Sequence, residues 1–466
     1  MDQHSTGNNN TLKAYPAYVW LMFPIITRII VYLSNRTLSQ DEVSLAINFV
    51  ERNWQQLMEP LSNSQSAPPA FLLTVNMIVS ALGINEFTLR LFPLLLGLWA
   101  CVLLFYLVRM LSPHLIPLMM IWFATSNILL RYSTEFKQYS GDVFLTLLLL
   151  CIAVQIINIK SRQWIIAWGI ASAIAVWFSH PSVFVIAGVG LCTIVILFKN
   201  GYRMQSYQMI AACAFAAINF LLVYSIFYTQ VVAETDLAAT MQAYWQGDFF
   251  KFNWIWFVRY PFLLFQFTSG FGNTVLLILT IFGFFVGLQK MEKKYLAILL
   301  IPIFITLMAS SLELYPLRNR FLLFMLPGIM IVCARGLVHF YRLLHGFRRY
   351  LAYVAALLLA LLYFVQTDLR QMHFEVRPAF EYIKSISPKS PIYVDADTAH
   401  VAGFYDFEYA VIQSETDQTT DGEHSIYYIL ADAAHTPLQL TDWQKVSSFK
   451  GVTIYCDGCD RPDLME

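Results

Sequence analysis

The residues PAYVWLMFPIITRIIVYL (16–33), followed almost at once by LSQDEVSLAI (38–47), decide how the rest of the chain is read. The first run has the length and apolar character of a membrane crossing. The second sets two adjacent acids, Asp41 and Glu42, just beyond it. Long apolar runs separated by short polar loops continue through most of the 466 residues, of which 58% are hydrophobic and only 13% charged. That is too apolar for a soluble enzyme of this length, and the chain is read as an α-helical polytopic membrane protein surrounded by membrane lipids. Thirty Lys and Arg balance thirty Asp and Glu, so no basic excess points to nucleic acid as a partner.

The start, MDQHSTGNNNTLK (1–13), lacks the basic segment and small-residue cleavage site of a removable signal, so the first apolar run is expected to stay as an anchor. Cys101, Cys151, Cys192, Cys213 and Cys333 fall in apolar runs and are expected to pack as small hydrophobes. Cys456 and Cys459, in YCDGC (455–459), read as a local disulfide or two free thiols, since a structural zinc site needs four ligands.

Eleven runs are long enough to span: 15–33, 88–111, 115–131, 142–159, 164–179, 182–198, 208–229, 271–288, 295–312, 320–340 and 350–366. Two more apolar stretches, 67–82 and 252–268, would each invert everything after them if they crossed. With both lying along the interface, Arg109, Lys160/Arg162, Lys199/Arg203, Lys290/Lys293/Lys294 and Arg342/Arg348/Arg349 collect on one side, which marks the cytoplasm. The two stretches are therefore expected as interfacial helices, consistent with their Trp, Tyr and Pro content. The N-terminus is then cytoplasmic, and 34–87, 132–141, 230–270, 313–319 and 367–466 face outward from a bacterial inner (plasma) membrane.

The chain divides at 366/367 into a membrane domain, 1–366, and a small outward α/β domain, 367–466. In the latter RPAFEYIK (377–384) has helical periodicity, whereas PIYVD (391–395), SIYYIL (425–430) and VTIY (452–455) read as strands.

From Val43 apolar residues recur at helical spacing through Met58, with Ser44, Asn48 and Glu51 opposite, so an amphipathic helix is expected to lie on the outer leaflet. Ser39 and Glu42 match a capping box, and Asp41 in the first turn complements the helix dipole. Those roles account for Glu42 better than for Asp41. The loop RYSTEFKQYSGD (131–142) carries Arg131, Glu135, Lys137 and Asp142 beside Tyr132 and Tyr139. Charges this dense between two spans either anchor helix ends or form a site. His180, in FSHPS (178–182), is either an interfacial polar residue or a ligand. ELYPLRNR (313–320) sets Tyr315, Arg318 and Arg320 at the same level; the arginines either reach lipid headgroups or grip phosphate through their planar fork.

With these residues in place the chain resembles the GT-C superfamily of glycosyltransferases, close to the group of protein O-mannosyltransferases and lipid A aminoarabinose transferases. The resemblance follows the order of short motifs along the membrane region: Asp41–Glu42, SAPPAF (66–71), GINEFTLRL (83–91), EFKQY (135–139) and YPLRNRFLLFMLP (315–327). It implies a polyprenyl-phosphate-linked sugar as donor and a reaction on the non-cytoplasmic side. It further implies Asp41 as the catalytic acid with Glu42 beside it, Lys137 and Arg320 on the donor phosphate, and Arg90 organising the site. Two positions depart from the family pattern: Glu135 stands where an Asp is frequent, with Asp142 farther on, and Ala67 stands where a basic residue precedes Pro-Pro.

The chemistry this implies is inverting transfer with Asp41 as general base, the acceptor being a lipid, protein or polysaccharide. Lys137, Arg320, Arg318 and Arg131 would hold the departing phosphate, with Glu135, Tyr139, Asp142, His180 and Tyr315 lining or organising the site. No cofactor is specified; Asp41 and His180 are the pair that would hold a divalent cation, although the sequence has no clustered ligand set for one. A polysaccharide polymerase or ligase and a transporter or flippase of lipid-linked sugars are the alternatives. The span centres, nearly free of acids and bases and without a hydropathy repeat, weigh against the transporter.

Overall fold

In hydrocarbon every backbone N–H and C=O has to be bonded within its own segment, so each long apolar run becomes a helix. The computed structural model describes residues 17–228, 243, 245–269, 274–344, 346, 376–386, 392–394, 396–405, 407, 409–411, 426–431, 444–449 and 452–457. The membrane region contains α1 (Tyr18–Leu33), α2 (Gln40–Glu51), α3 (Pro69–Leu82), α4 (Glu86–Leu111), α5 (Ile116–Thr125), α6 (Asn127–Tyr132) and α7 (Tyr139–Ile159). It continues with α8 (Arg162–Phe178), α9 (Ser182–Lys199), α10 (Arg203–Val223), α11 (Trp254–Ser269), α12 (Thr274–Lys290), α13 (Lys293–Ser311) and α14 (Leu326–Leu343).

Among the described residues six helices are long and apolar enough to cross a membrane: Glu86–Leu111, Tyr139–Ile159, Ser182–Lys199, Arg203–Phe227, Lys293–Ser311 and Arg320–Leu343. The other expected spans up to 312 are shorter helices, and the one at 350–366 lies outside the described residues. Both stretches expected along the interface are helices, α3 and α11.

Three differences from the sequence expectation have local causes. The expected span 115–131 breaks at Ser126, where the backbone turns extended between α5 and α6. The break frees carbonyls at the end of α5, and the buried Arg28 of α1 takes one of them, donating to Phe123 O at 3.4 Å with its guanidinium 4.4 Å from the Phe123 ring centroid. Second, α2 stops at Glu51, because Arg52 is extended and Asn53 Oδ1 accepts from the N–H groups of Gln55 and Gln56 to start a separate 3-10 turn. Third, the run from 320 opens as a 3-10 segment, Asn319–Met325, before α14.

Small residues allow one close helix contact. Gly283 and Gly287, four apart on α12, face Gly336 of α14, where a Cβ would overlap the Gly283 carbonyl oxygen and lie 2.7 Å from Gly287 N.

The C-terminal region forms α15 (Val376–Ile386), β1 (Ile392–Val394), α16 (Ala396–Phe404), β2 (Ala410–Val411), β3 (Ile426–Ala431), β4 (Gln444–Phe449) and β5 (Val452–Asp457). The sheet order is β2-β1-β3-β5-β4, with β1 parallel to β2 and β3 and the other pairs antiparallel. Cys456 is disulfide-bonded, in line with one of the two readings of YCDGC. The boundary expected at 366/367 falls outside the described residues. Val376, Phe380, Ala399 and Ala402 share one apolar cluster with Leu38, Val43, Phe49 and Phe71. As a result α2 is not an amphipathic helix on lipid: its polar side is covered as well, with Ser44 and Asn48 both buried.

Candidate functional site

The first turn of α2 sends its two acids in different directions. Ser39 caps the helix in a complete capping box: its side chain accepts from Glu42 N, and Glu42 Oε2 accepts from Ser39 N at 2.9 Å. Glu42 is 0% exposed. It also accepts from Arg90 Nε and Nη2, each at 2.7 Å, and from the backbone N–H of Phe136 at 2.7 Å. One carboxylate thus joins α2, α4 and the 131–138 loop. Arg90 adds bonds to Arg36 O at 2.6 Å and Thr37 O at 3.1 Å, fixing the link from α1 to α2. The pairing of Glu42 with Arg90 satisfies both buried charges, which neither could sustain alone.

Asp41 turns the other way, with its side chain 38% exposed. Arg320 Nη1 is ion-paired to Asp41 Oδ2, and Lys137 Nζ lies 4.0 Å from Oδ1. Asp41, Lys137 and Arg320, spaced across 279 positions of sequence, therefore meet at one carboxylate. Partial burial works to raise the Asp41 pKa, but Lys137 and Arg320 outweigh it and hold the carboxyl below its ordinary value of 3.8. Burial draws the Lys137 ammonium below its ordinary value of 10.5, against the opposing pull of Asp41. The Arg320 guanidinium lies 5.9 Å from the Tyr139 ring, 6.0 Å from Trp245 and 5.7 Å from Phe321, an aromatic frame that aims it at Asp41.

The remaining candidates surround this centre or lie apart from it. Arg131 pairs with Glu135 at 2.7 Å. Arg318 is 3.7 Å from Asp248 and stacks 5.0 Å from the Trp245 ring. Tyr315 donates to Phe321 O at 3.0 Å and packs edge-on against Phe184. Asp142 is buried in the first turn of α7, and its Oδ1 has no hydrogen-bond partner. His180 occupies the α8–α9 turn, where burial pushes its imidazole down to about 4.

Asp41, one of the two residues expected to hold a divalent cation, has two cationic neighbours, and among the described residues no group of three His, Cys, Asp or Glu could hold a metal ion.

Several contributors carry no signal in the sequence. Gln65 Oε1 accepts from Lys137 Nζ at 2.7 Å, so the cation beside the Pro-Pro segment comes from the 131–138 loop and not from position 67. Trp245 and Asp248 fix the two arginines of 318–320. Arg36 donates to Thr134 O and Oγ1, tying the α1–α2 link to the same loop. A polar residue before a proline pair or a tryptophan after a span is too common to have been singled out.

This bundle, with its acid-bearing helix after the first span and a small sheet region whose helix packs on it, has a fold already seen in solved membrane proteins. It is similar to the crystal structure of ArnT from Cupriavidus metallidurans in the apo state, with a TM-score of 0.53 at 12% identity over 94% of this chain and 98% of that one. The same enzyme bound to undecaprenyl phosphate gives 0.52 at 12% identity, over 95% and 98%. No protein-family model and no curated sequence matches the chain.

Proposed function

We propose that the chain is an integral-membrane glycosyltransferase that moves a hexosyl or pentosyl group from a polyprenyl-phosphate-linked donor to a lipid, protein or polysaccharide acceptor. The observation that carries this reading is one part-exposed carboxylate, Asp41, held between Lys137 and Arg320 in a fold whose solved neighbour binds undecaprenyl phosphate. Arg109, Lys160, Arg162, Lys199, Arg203, Lys290, Lys293 and Lys294 lie at helix ends remote from Asp41 in the chain's up-and-down course, which supports a non-cytoplasmic site in the plasma membrane.

The donor is a phosphodiester with one negative charge, and the departing polyprenyl phosphate acquires a second. Lys137 and Arg320 bind that growing charge more tightly than the ground state, which is what lowers the barrier. In the free protein the same two cations are occupied by Asp41. Donor phosphate replaces the carboxylate on them, leaving Asp41 more basic and close to the anomeric carbon. The acceptor oxygen attacks that carbon while Asp41 takes the hydroxyl proton. The carbon–oxygen bond to phosphate breaks with its electron pair on phosphate, and the configuration inverts. Polyprenyl phosphate is stable as an anion, so no second carboxylic acid is required, in contrast to glycoside hydrolysis. Arg131 and Arg318, paired with Glu135 and Asp248, are the further candidates for contact with the donor phosphate.

The test is transfer from undecaprenyl-phosphate sugars in proteoliposomes. Asp41→Asn is expected to bind donor and lose product formation by about 10²–10⁴-fold, the usual contribution of a general base. Wild-type rates from that variant, or a wild-type protein that carries donor across the bilayer without breaking the sugar–phosphate bond, would sink the proposal.

A further inference from the structure

The link between α1 and α2 is short, and its backbone is gripped from two sides. Arg90 of α4 holds Arg36 O and Thr37 O. The C-terminal domain holds the residues flanking them: Arg377 Nη2 donates to Asn35 O at 3.0 Å, and the Leu38 N–H donates to Tyr405 Oη at 3.0 Å. The same two side chains meet on Glu86, at the start of α4: Tyr405 Oη donates to Glu86 Oε1 at 3.1 Å, and Arg377 Nη1 is ion-paired to that oxygen. One turn beyond Asp41, Ser44 Oγ and His400 Nε2 of α16 are 3.0 Å apart. Leu38 is fully buried, and Glu86 nearly so, which keeps water from substituting for these bonds. Burial raises the Tyr405 pKa, and only the neutral phenol can accept from Leu38 N–H and donate to Glu86 at once.

We infer that Tyr405 and Arg377, acting through Glu86 and the 35–38 backbone, are positioning residues for Asp41, so that the C-terminal domain completes the site. This rests on Asp41 being the base. Leu38 is three residues from Asp41, and its N–H orientation sets where the Ser39 cap starts α2. Loss of that bond lets the first turn of α2 rotate or fray, and displacing a base by even an ångström is costly in rate. Donor affinity, which depends on Lys137 and Arg320, is not weakened by the same loss, since a loosened Asp41 competes less for those cations.

Tyr405→Phe removes the hydroxyl and retains the ring. Its kcat is expected to fall roughly 10–100-fold, as for a misplaced catalytic group, with donor KM and undecaprenyl phosphate binding as tight as in the wild type or tighter. Arg377→Met should lower kcat in the same way, and Arg377→Lys should recover part of it. Glu86→Gln, which keeps an acceptor in place, is the milder variant and guards against a Tyr405 variant that does not fold. The decisive measurement is a double-mutant cycle: with Asp41→Asn already present, Tyr405→Phe should cost nothing further, because there is no base left to misplace. An equal loss in both backgrounds, or wild-type kcat per folded molecule in Tyr405→Phe and Glu86→Gln, overturns the inference while leaving Asp41 as the base. Full activity in Asp41→Asn alone instead overturns the function on which the inference rests.

Discussion

Two places in this molecule bring backbones together by opposite means. Where α1 turns into α2 against the start of α4, carbonyls and N–H groups are held by charged and phenolic side chains: Arg90, Arg377 and Tyr405. Where α12 crosses α14, the chains approach because Gly283, Gly287 and Gly336 have no side chain to separate them. A glycine seam fixes distance alone, since dispersion contacts have little direction. Hydrogen bonds to a buried guanidinium fix angle too, at the risk of a stranded charge if one partner is lost. Asp41, the proposed base, lies beside the first kind of contact and not the second.

The largest effect expected outside Asp41 itself comes from breaking the corner. Arg90→Met strands Glu42 and releases the carbonyls of Arg36 and Thr37, and should destabilise by about 3–5 kcal/mol, as loss of one member of a buried pair does. Thermal unfolding of the detergent-solubilised protein measures it. Arg90→Met with Glu42→Leu should recover part of the loss. If the single variant melts like wild type, the corner is not the anchor described.

The seam should behave differently under mutation. Gly336→Leu forces a side chain into the Gly283 carbonyl, and overpacking of this kind costs about 1–3 kcal/mol. The melting temperature should drop while kcat per folded molecule stays at the wild-type level, since nothing there aims Asp41. A selective loss of kcat without a loss of stability would erase the distinction between the two regions.

Most of the bundle was legible in the sequence because long apolar runs in a bilayer have no alternative to helix. The meeting of Asp41, Lys137 and Arg320 could be anticipated because all three fall at the same end of an alternating set of spans. The interruptions were less legible. Ser126 sits inside a run that is apolar on both sides, and its break depends on Arg28, 98 residues earlier, being available for the freed carbonyl. The polar face of α2 has the pattern of a helix facing water, but Ser44 is covered by His400, 356 residues later, and Asn48 is bonded by the backbone of Ser62 beyond the end of α2. Gln65, Tyr405 and Arg377 carry no signal for the same reason: each is an ordinary polar residue until its distant partner is known. Gly283 and Gly287 are different, because their four-residue spacing is a helix-packing signal visible in the sequence itself.

The smallest predicted effect sharpens the comparison most, because the seam contains no ionisable group that could produce it. In the free protein Lys137 and Arg320 keep the Asp41 carboxyl below its ordinary value of 3.8. Its contribution to stability is therefore present above the unfolded carboxylate pKa of about 3.9 and is lost as pH falls through the lower folded value. The acid limb of kcat/KM, which reports the free enzyme, should lie below the ordinary carboxylate range. Bound donor takes over both cations and adds a negative charge, so the acid limb of kcat, which reports the complex, should lie at higher pH than that of kcat/KM. Tyr405→Phe, by loosening Asp41 from Arg320, should move the kcat/KM limb upward and narrow the gap. Coincident limbs in the wild type would mean that Asp41 keeps its cations when donor binds, and that the exchange of carboxylate for phosphate does not occur.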